Sequence, residues 1–196
     1  MIGRLNIVLC LLIPVLYFGL QAVFAPFYPG YSIWTTTASD LGAAQSPVGA
    51  VVSALVLGLG LVMTLAALTL SVRLRALGLP LWLACLPALA LFSGALITFS
   101  AGLYPQPHPN HSGGALGAGF IALPLVFLLS LWTIAGRGLR AYLVANLLAF
   151  AALALVMAGI VPLADAGLGG LVQKLLALTV FVPPAVTALG LRRGAA

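Results

Sequence analysis

Six stretches of this chain are long enough to cross a membrane as helices and are almost free of charge. They cover residues 5–27, 47–72, 79–103, 113–135, 141–163 and 171–191, and the one acidic or basic side chain inside them is Lys174, near the start of the sixth. A hydrocarbon core of about 30 Å takes about 20 apolar residues of helix to cross. A water-facing surface would need roughly 25% charged residues. This chain has 5%, against 63% hydrophobic, so much of its apolar surface must face lipid. Barrel strands would need alternating apolar and polar residues in segments of about ten, and no such alternation occurs. The expected fold is an all-α membrane protein, a single domain over residues 1–196 built as a bundle of six transmembrane helices. The first run is longer than the h-region of a signal peptide, with Pro26 following the only loose cleavage site, so it is expected to stay as a helix.

The basic residues orient the bundle. Arg4 precedes the first run, Arg73 and Arg75 join the second to the third, Arg137 and Arg140 join the fourth to the fifth, and Arg192 and Arg193 follow the sixth. Six crossings put all seven arginines on one side, with only Lys174 on the other. Positive residues stay in the cytoplasm, so both termini are expected there, in the inner (cytoplasmic) membrane of the cell. The net charge of +6 does not indicate nucleic acid. A nucleic-acid binder gathers its Lys and Arg in one patch, whereas these come in ones and twos between apolar runs. The expected partners are membrane lipids, with association to a second copy or to another membrane protein left open.

Every acid and histidine falls on the other, exoplasmic side. Asp40 lies between helices one and two, His108 and His111 between three and four, and Asp165 between five and six. Asp40 follows a long loop whose Tyr28, Tyr31 and Trp34 suit the membrane interface. It can cap the turn leading into helix two or face a polar pocket. His108 and His111 lie in a loop stiffened by Pro105, Pro107 and Pro109. With a carboxylate from Asp40 or Asp165 they are weak candidates for metal ligands, and Pro109 disrupts the helical spacing such ligands usually have. His111 can equally act as a general base beside Asp40 or Ser39, or be held structurally by hydrogen bonds. Lys174 opposes the dipole of its helix N-terminus, which favours an acid or an anionic ligand beside it, or snorkelling to headgroups.

Prolines inside the runs (Pro14, Pro87, Pro124, Pro183 and Pro184) remove backbone donors. They require neighbours to satisfy the freed carbonyls. Gly113 and Gly117 fit the small-residue spacing that lets helix backbones approach. Cys10 and Cys85 read as small buried apolar side chains, and a disulfide is not expected.

Ser39-Asp40-Leu41-Gly42, Tyr104-Pro105 with His111, and Gly170-Leu-Val-Gln-Lys174 together resemble the bacterial and archaeal membrane family known as domain of unknown function 998. The resemblance covers most of the chain. It departs at Gln106, where relatives often carry an acid, and at Lys174, where they often carry arginine. The family implies an architecture and a set of site residues, and no reaction or cofactor.

The leading expectation is an exoplasmic polar pocket formed by Ser39, Asp40, Tyr104, His111, Gln173 and Lys174, which binds a lipid headgroup or small amphiphile. An enzyme acting on a lipid-linked group through His111 and Asp40 is the alternative. A transporter is disfavoured because no ionisable side chain lies at mid-membrane, and Asn146, the most polar interior residue, sits toward the cytoplasmic end. A structural accessory subunit is the remaining alternative.

Overall fold

The computed structural model describes residues 2–162 and 164–193, without the side chains of residues 164, 165, 192 and 193. Among the described residues there are helices and no strands. The six expected crossings are present: Ile2–Phe27, Gly49–Ala76, Leu81–Leu103, Pro109–Leu131, Arg137–Met157 and Ala166–Leu191 are each long and apolar enough to span a membrane. The chain is a multi-pass helical membrane protein.

Helix α1 (Ile2–Phe24) runs through Pro14 and ends in a 3-10 turn at Pro26. The one-turn helix α2 (Ala38–Leu41) follows the long first loop. α3 (Gly49–Ala76) and α4 (Leu81–Leu103) form a hairpin with the most extensive packing in the molecule, and α1 lies against α3. The fourth crossing differs from the single helix expected over 113–135. It consists of 3-10 turns at Pro109–Ser112 and Gly114–Gly117, the short α5 (Ala118–Ile121), and α6 (Leu123–Leu131) with Pro124 in its first turn. Gly113 (φ +66°) sets the break, a conformation glycine adopts at no steric cost. The turns replace a regular helix because they press against α4. A Cβ on Gly117 would stand 2.7 Å from Ile97 Cδ1, and one on Gly119 2.8 Å from Ser93 Cβ. The close approach expected of these glycines is real, but it is made partly by irregular backbone.

α7 (Arg137–Met157) starts four residues before the expected 141 and ends before the expected 163: Ala158 caps it and Gly159 (φ +74°) turns the chain out of the helix. The sixth crossing is split at Val182 into α8 (Gly169–Phe181) and α9 (Pro183–Arg193) by its proline pair. Pro183 has no N–H to bond Thr179 O. Asn146 Nδ2 from α7 bonds that carbonyl instead, at 2.9 Å.

The connector between the second and third crossings was expected to hold Arg73 and Arg75. Both lie in the last turns of α3. Arg73 is buried: Nη1 donates to Asn6 Oδ1 (3.1 Å) and Nη2 to Ala188 O (2.8 Å). Asn6 Nδ2 bonds Ala66 O and Thr69 Oγ1, so α1, α3 and α9 are joined by polar contacts at the arginine end. Between this network and the opposite end the core is apolar, built on Ile13, Met63, Leu70, Leu91, Leu123 and Phe127. Cys10 is buried, Cys85 is half-buried, and both are free thiols.

Candidate functional site

At the end opposite the arginines, two connecting segments fold over the helix ends. The first loop is tied to α8 by Leu171 N–H donating to Trp34 O (3.0 Å) and by Ala38 N–H donating to Gln173 Oε1 (2.8 Å). Gly170 is where loop and helix touch: a Cβ there would lie 2.6–2.8 Å from backbone atoms of Thr35 and Thr36. The third-to-fourth connector joins the cluster through Ala44 N–H to Gln106 O (2.9 Å).

Two of the expected site residues build this scaffold. Thr37 and Asp40 form a reciprocal capping box on α2: Thr37 N–H donates to Asp40 Oδ2 (2.7 Å) and Asp40 N–H to Thr37 Oγ1 (3.1 Å). Asp40 therefore takes the capping role, and it does not line the cavity described below. Lys174 Nζ donates to the carbonyls of Thr36, Gly170 and Ile33 and lies 5.7 Å from the centroid of the Tyr31 ring. The ammonium holds the loop on α8, and the Asp40 carboxylate, one of the acids expected beside it, acts on it electrostatically.

Ser39, His111 and Gln173 face a cavity of about 230 Å³ whose walls come from α1, α3, α4, α5 and α8. Its interior is apolar, with Val52, Val56, Leu59 and Ile97 beside a cluster in which Tyr17 stacks on Phe181 at 4.1 Å and Phe120 tilts against Phe181 at 5.2 Å. An apolar cavity of about 150 Å³ already accommodates a benzene ring. Ser53 and Thr98 also line it, but their hydroxyls donate to the carbonyls of Gly42 and Gly94. The other polar side chains of the lining are Tyr17, Ser39, His111 and Gln173.

His111 is fixed on both sides of its ring. Nδ1 lies 2.9 Å from Tyr104 O, and Nε2 lies 2.9 Å from Ser39 Oγ. A carbonyl only accepts, so Nδ1 carries the proton. In the neutral ring Nε2 then has a lone pair, and the Ser39 hydroxyl donates to it. Tyr104 acts in the site through its carbonyl, while its ring stacks on His108 at 4.7 Å. His108 Nδ1 accepts from Asn110 N–H (3.1 Å), capping the turn that carries His111. Among the described residues no three of His, Cys, Asp and Glu gather as a metal site. The Asp165 side chain lies outside them.

His111 also borders a second, outer cavity of about 350 Å³, lined by Gln45, Gln106, His108 and Ser112. The imidazole therefore stands between an apolar interior and a polar exterior. Gln21, which the sequence reading passed over, lines a small cavity of about 30 Å³ that shares Tyr17, Ala38, Val52 and Val56 with the main one. Its Nε2 donates to Tyr17 O (3.2 Å), and among the described residues its buried Oε1 has no partner. A glutamine near the end of an otherwise apolar helix was the available signal.

Fold and site together define a polytopic membrane protein with an amphiphilic cavity opening at one end of its bundle. Compared with protein families, with curated proteins and with solved structures, the chain finds no match in any of the three.

Proposed function

We propose that this protein binds a lipid or other small amphiphile at the exoplasmic face of the cytoplasmic membrane, with both termini in the cytoplasm. The apolar portion occupies the cavity between Tyr17, Val56, Ile97 and Phe181, and the polar portion meets Ser39, His111 and Gln173. The observation that carries this reading is the division of the cavity: polar groups at the head, hydrocarbon and aromatic rings below. Burying one methylene yields about 0.8 kcal/mol, so a short chain supplies affinity and the three polar groups supply orientation. The arginine distribution supports the sidedness. Three segments that resemble the family of domain of unknown function 998 meet around this cavity, which supports membership.

The test is saturable binding of a non-hydrolysable monoalkylglycerol ether carrying a fluorophore, with purified protein in nanodiscs. Val56→Trp fills the cavity and is expected to abolish binding while the protein remains folded. Ser39→Ala with His111→Ala is expected to weaken it about tenfold, the loss of roughly one to two neutral hydrogen bonds. Parent-like binding by a folded Val56→Trp protein refutes the proposal.

A further inference from the structure

Resting on that reading of the cavity, we propose that Ser39 is a nucleophile, that His111 is its general base, and that the protein hydrolyses a carboxylic ester of a lipid whose acyl chain lies in the apolar cavity. Four features carry this.

The first is the hydrogen-bond chain. Ser39 Oγ to His111 Nε2 and His111 Nδ1 to Tyr104 O, both 2.9 Å, align a hydroxyl, a base and an orienting acceptor. That is the arrangement that activates a serine: a base within hydrogen-bond reach, itself oriented by a third group. Here the third group is a main-chain carbonyl. It fixes the tautomer and the ring plane but brings no full charge to the imidazolium, so turnover is expected to be slower than with a carboxylate in that position.

The second is location. Ser39 and His111 stand where the apolar cavity begins, and His111 also borders the outer polar cavity. An acyl chain can lie inward while the alcohol portion and water approach from outside.

The third is an available donor. Gln173 Oε1 is committed to Ala38 N–H, which turns Nε2 away from that bond, and among the described residues Nε2 has no hydrogen-bond acceptor. Gln173 lines the cavity beside Ser39, so its amide N–H is placed to stabilise a developing oxyanion, as neutral side-chain donors do in acyl transfer.

The fourth is charge. Among the described residues no lysine or arginine lines the cavity, and the nearby Lys174 ammonium is bound to three backbone carbonyls. A phosphate ester would call for cationic groups. A carboxylic ester, uncharged in its ground state and carrying one developing charge at the transition state, fits a neutral donor set.

The reaction balances with water as co-reactant. The Ser39 hydroxyl proton passes to His111 Nε2 as Oγ bonds the acyl carbon, and the carbonyl π pair moves onto oxygen beside Gln173 Nε2. The pair returns, the acyl–alkoxy bond breaks, and the departing alkoxide takes the proton from Nε2, leaving a free alcohol and acylated Ser39. Water then gives a proton to Nε2 and attacks the same carbon, and Ser39 leaves as an alkoxide that recovers the proton. The net change is ester plus water to acid plus alcohol.

The test uses the full chain in detergent with a fluorophosphonate probe and the 4-nitrophenyl ester of octanoate. Mass spectrometry is expected to find the probe on Ser39. Labelling should vanish in Ser39→Ala and slow by about 10²–10⁴-fold in His111→Gln, the usual contribution of a positioned base. The His111→Gln loss should fall on the labelling rate with the unfolding midpoint unchanged, an outcome that a merely structural imidazole would not give. Ester turnover should follow the same order. Ether binding, measured as above, is expected to weaken by less than about tenfold in Ser39→Ala, the loss of one neutral hydrogen bond, while labelling is lost entirely. Absence of labelling at Ser39, or labelling that His111→Gln leaves unchanged, overturns the catalytic assignment. Parent-like ether binding would then leave the binding proposal standing, and loss of both would remove both.

Discussion

The bond from Asn146 to Thr179 offers a quantitative test of how this bundle tolerates its proline pair. In a continuous helix the N–H of residue 183 would bond Thr179 O. Pro183 has none, the Thr179 hydroxyl is engaged with Leu176 O, and Asn146 Nδ2 reaches the carbonyl at 2.9 Å from the neighbouring helix. Asn146→Leu keeps the shape and removes the donor. A buried acceptor left without a partner costs about 1–3 kcal/mol, while interhelical bonds in membranes average about 0.6 and reach about 1.7 kcal/mol. Asn146→Leu is therefore expected to cost about 1–1.5 kcal/mol. In a Pro183→Ala background residue 183 has its N–H again, and the same substitution should cost less than about 0.5 kcal/mol. The assay is a double-mutant cycle by reversible unfolding in mixed micelles. Equal costs in the two backgrounds would refute the claim that Asn146 substitutes for the donor that proline lacks.

Gly170→Ala forces a Cβ within 2.6–2.8 Å of the Thr35 and Thr36 backbone, and is expected to destabilise by about 1–3 kcal/mol, the usual range for overpacking; the same unfolding assay checks it. Thr37→Ala removes one half of the capping box and should cost about 0.5–2 kcal/mol. Asp40→Asn retains an acceptor and should leave ether binding within twofold of the parent, in contrast to His111→Ala. Asn6→Leu breaks the α1–α3 contact at the arginine end and should cost about 1–2 kcal/mol, without altering binding at the far end. Gln173→Glu keeps an acceptor for Ala38 N–H but loses the amide donors, so ester turnover should fall by at least tenfold while the protein stays folded, read from a parent-like unfolding midpoint.

The six crossings were legible because hydropathy and helix length are local properties, and each run contains what it needs. A capping role for Asp40 was one of its two sequence readings; its partner Thr37, three residues earlier, completes a helix-start signature that went unread. The rarity of acids nevertheless drew attention to Asp40 as a site residue, when its neighbour Ser39 faces the cavity. The pairing of His111 with Ser39 was one of two the sequence offered, the other being with Asp40; the choice between them, across 72 positions, depends on how two loops close over the bundle, which no local pattern encodes. The broken fourth crossing was missed for a similar reason. Its composition is as apolar as the others, and the turns arise from how Gly113, Gly117 and Gly119 meet α4. Arg73 was assigned to a connector because the apolar run before it ends at Val72. It is buried in the last turns of α3 because Asn6 and Ala188 O accept its N–H groups.

The distribution of charge around the cavity explains why its two nearest ionised groups are poor candidates for ligand contact. A carboxylate or ammonium at a membrane boundary must be hydrogen-bonded if it is to be drawn out of water. Asp40 is bonded by the Thr37 N–H that it caps, and Lys174 by the three carbonyls of the loop it anchors. Each group thus replaces water at exposed backbone that would otherwise be unsatisfied near lipid. Withdrawing either to serve a ligand would free that backbone as well, so the two charges are bound to the architecture and the cavity lining is left neutral. A neutral lining selects against free phosphates and ammonium ions and favours an uncharged polar group attached to hydrocarbon. The same reasoning makes Ser39, His111 and Gln173 the positions where substitution should change what is bound, and Asp40 and Lys174 the positions where it should change whether the loop closes at all.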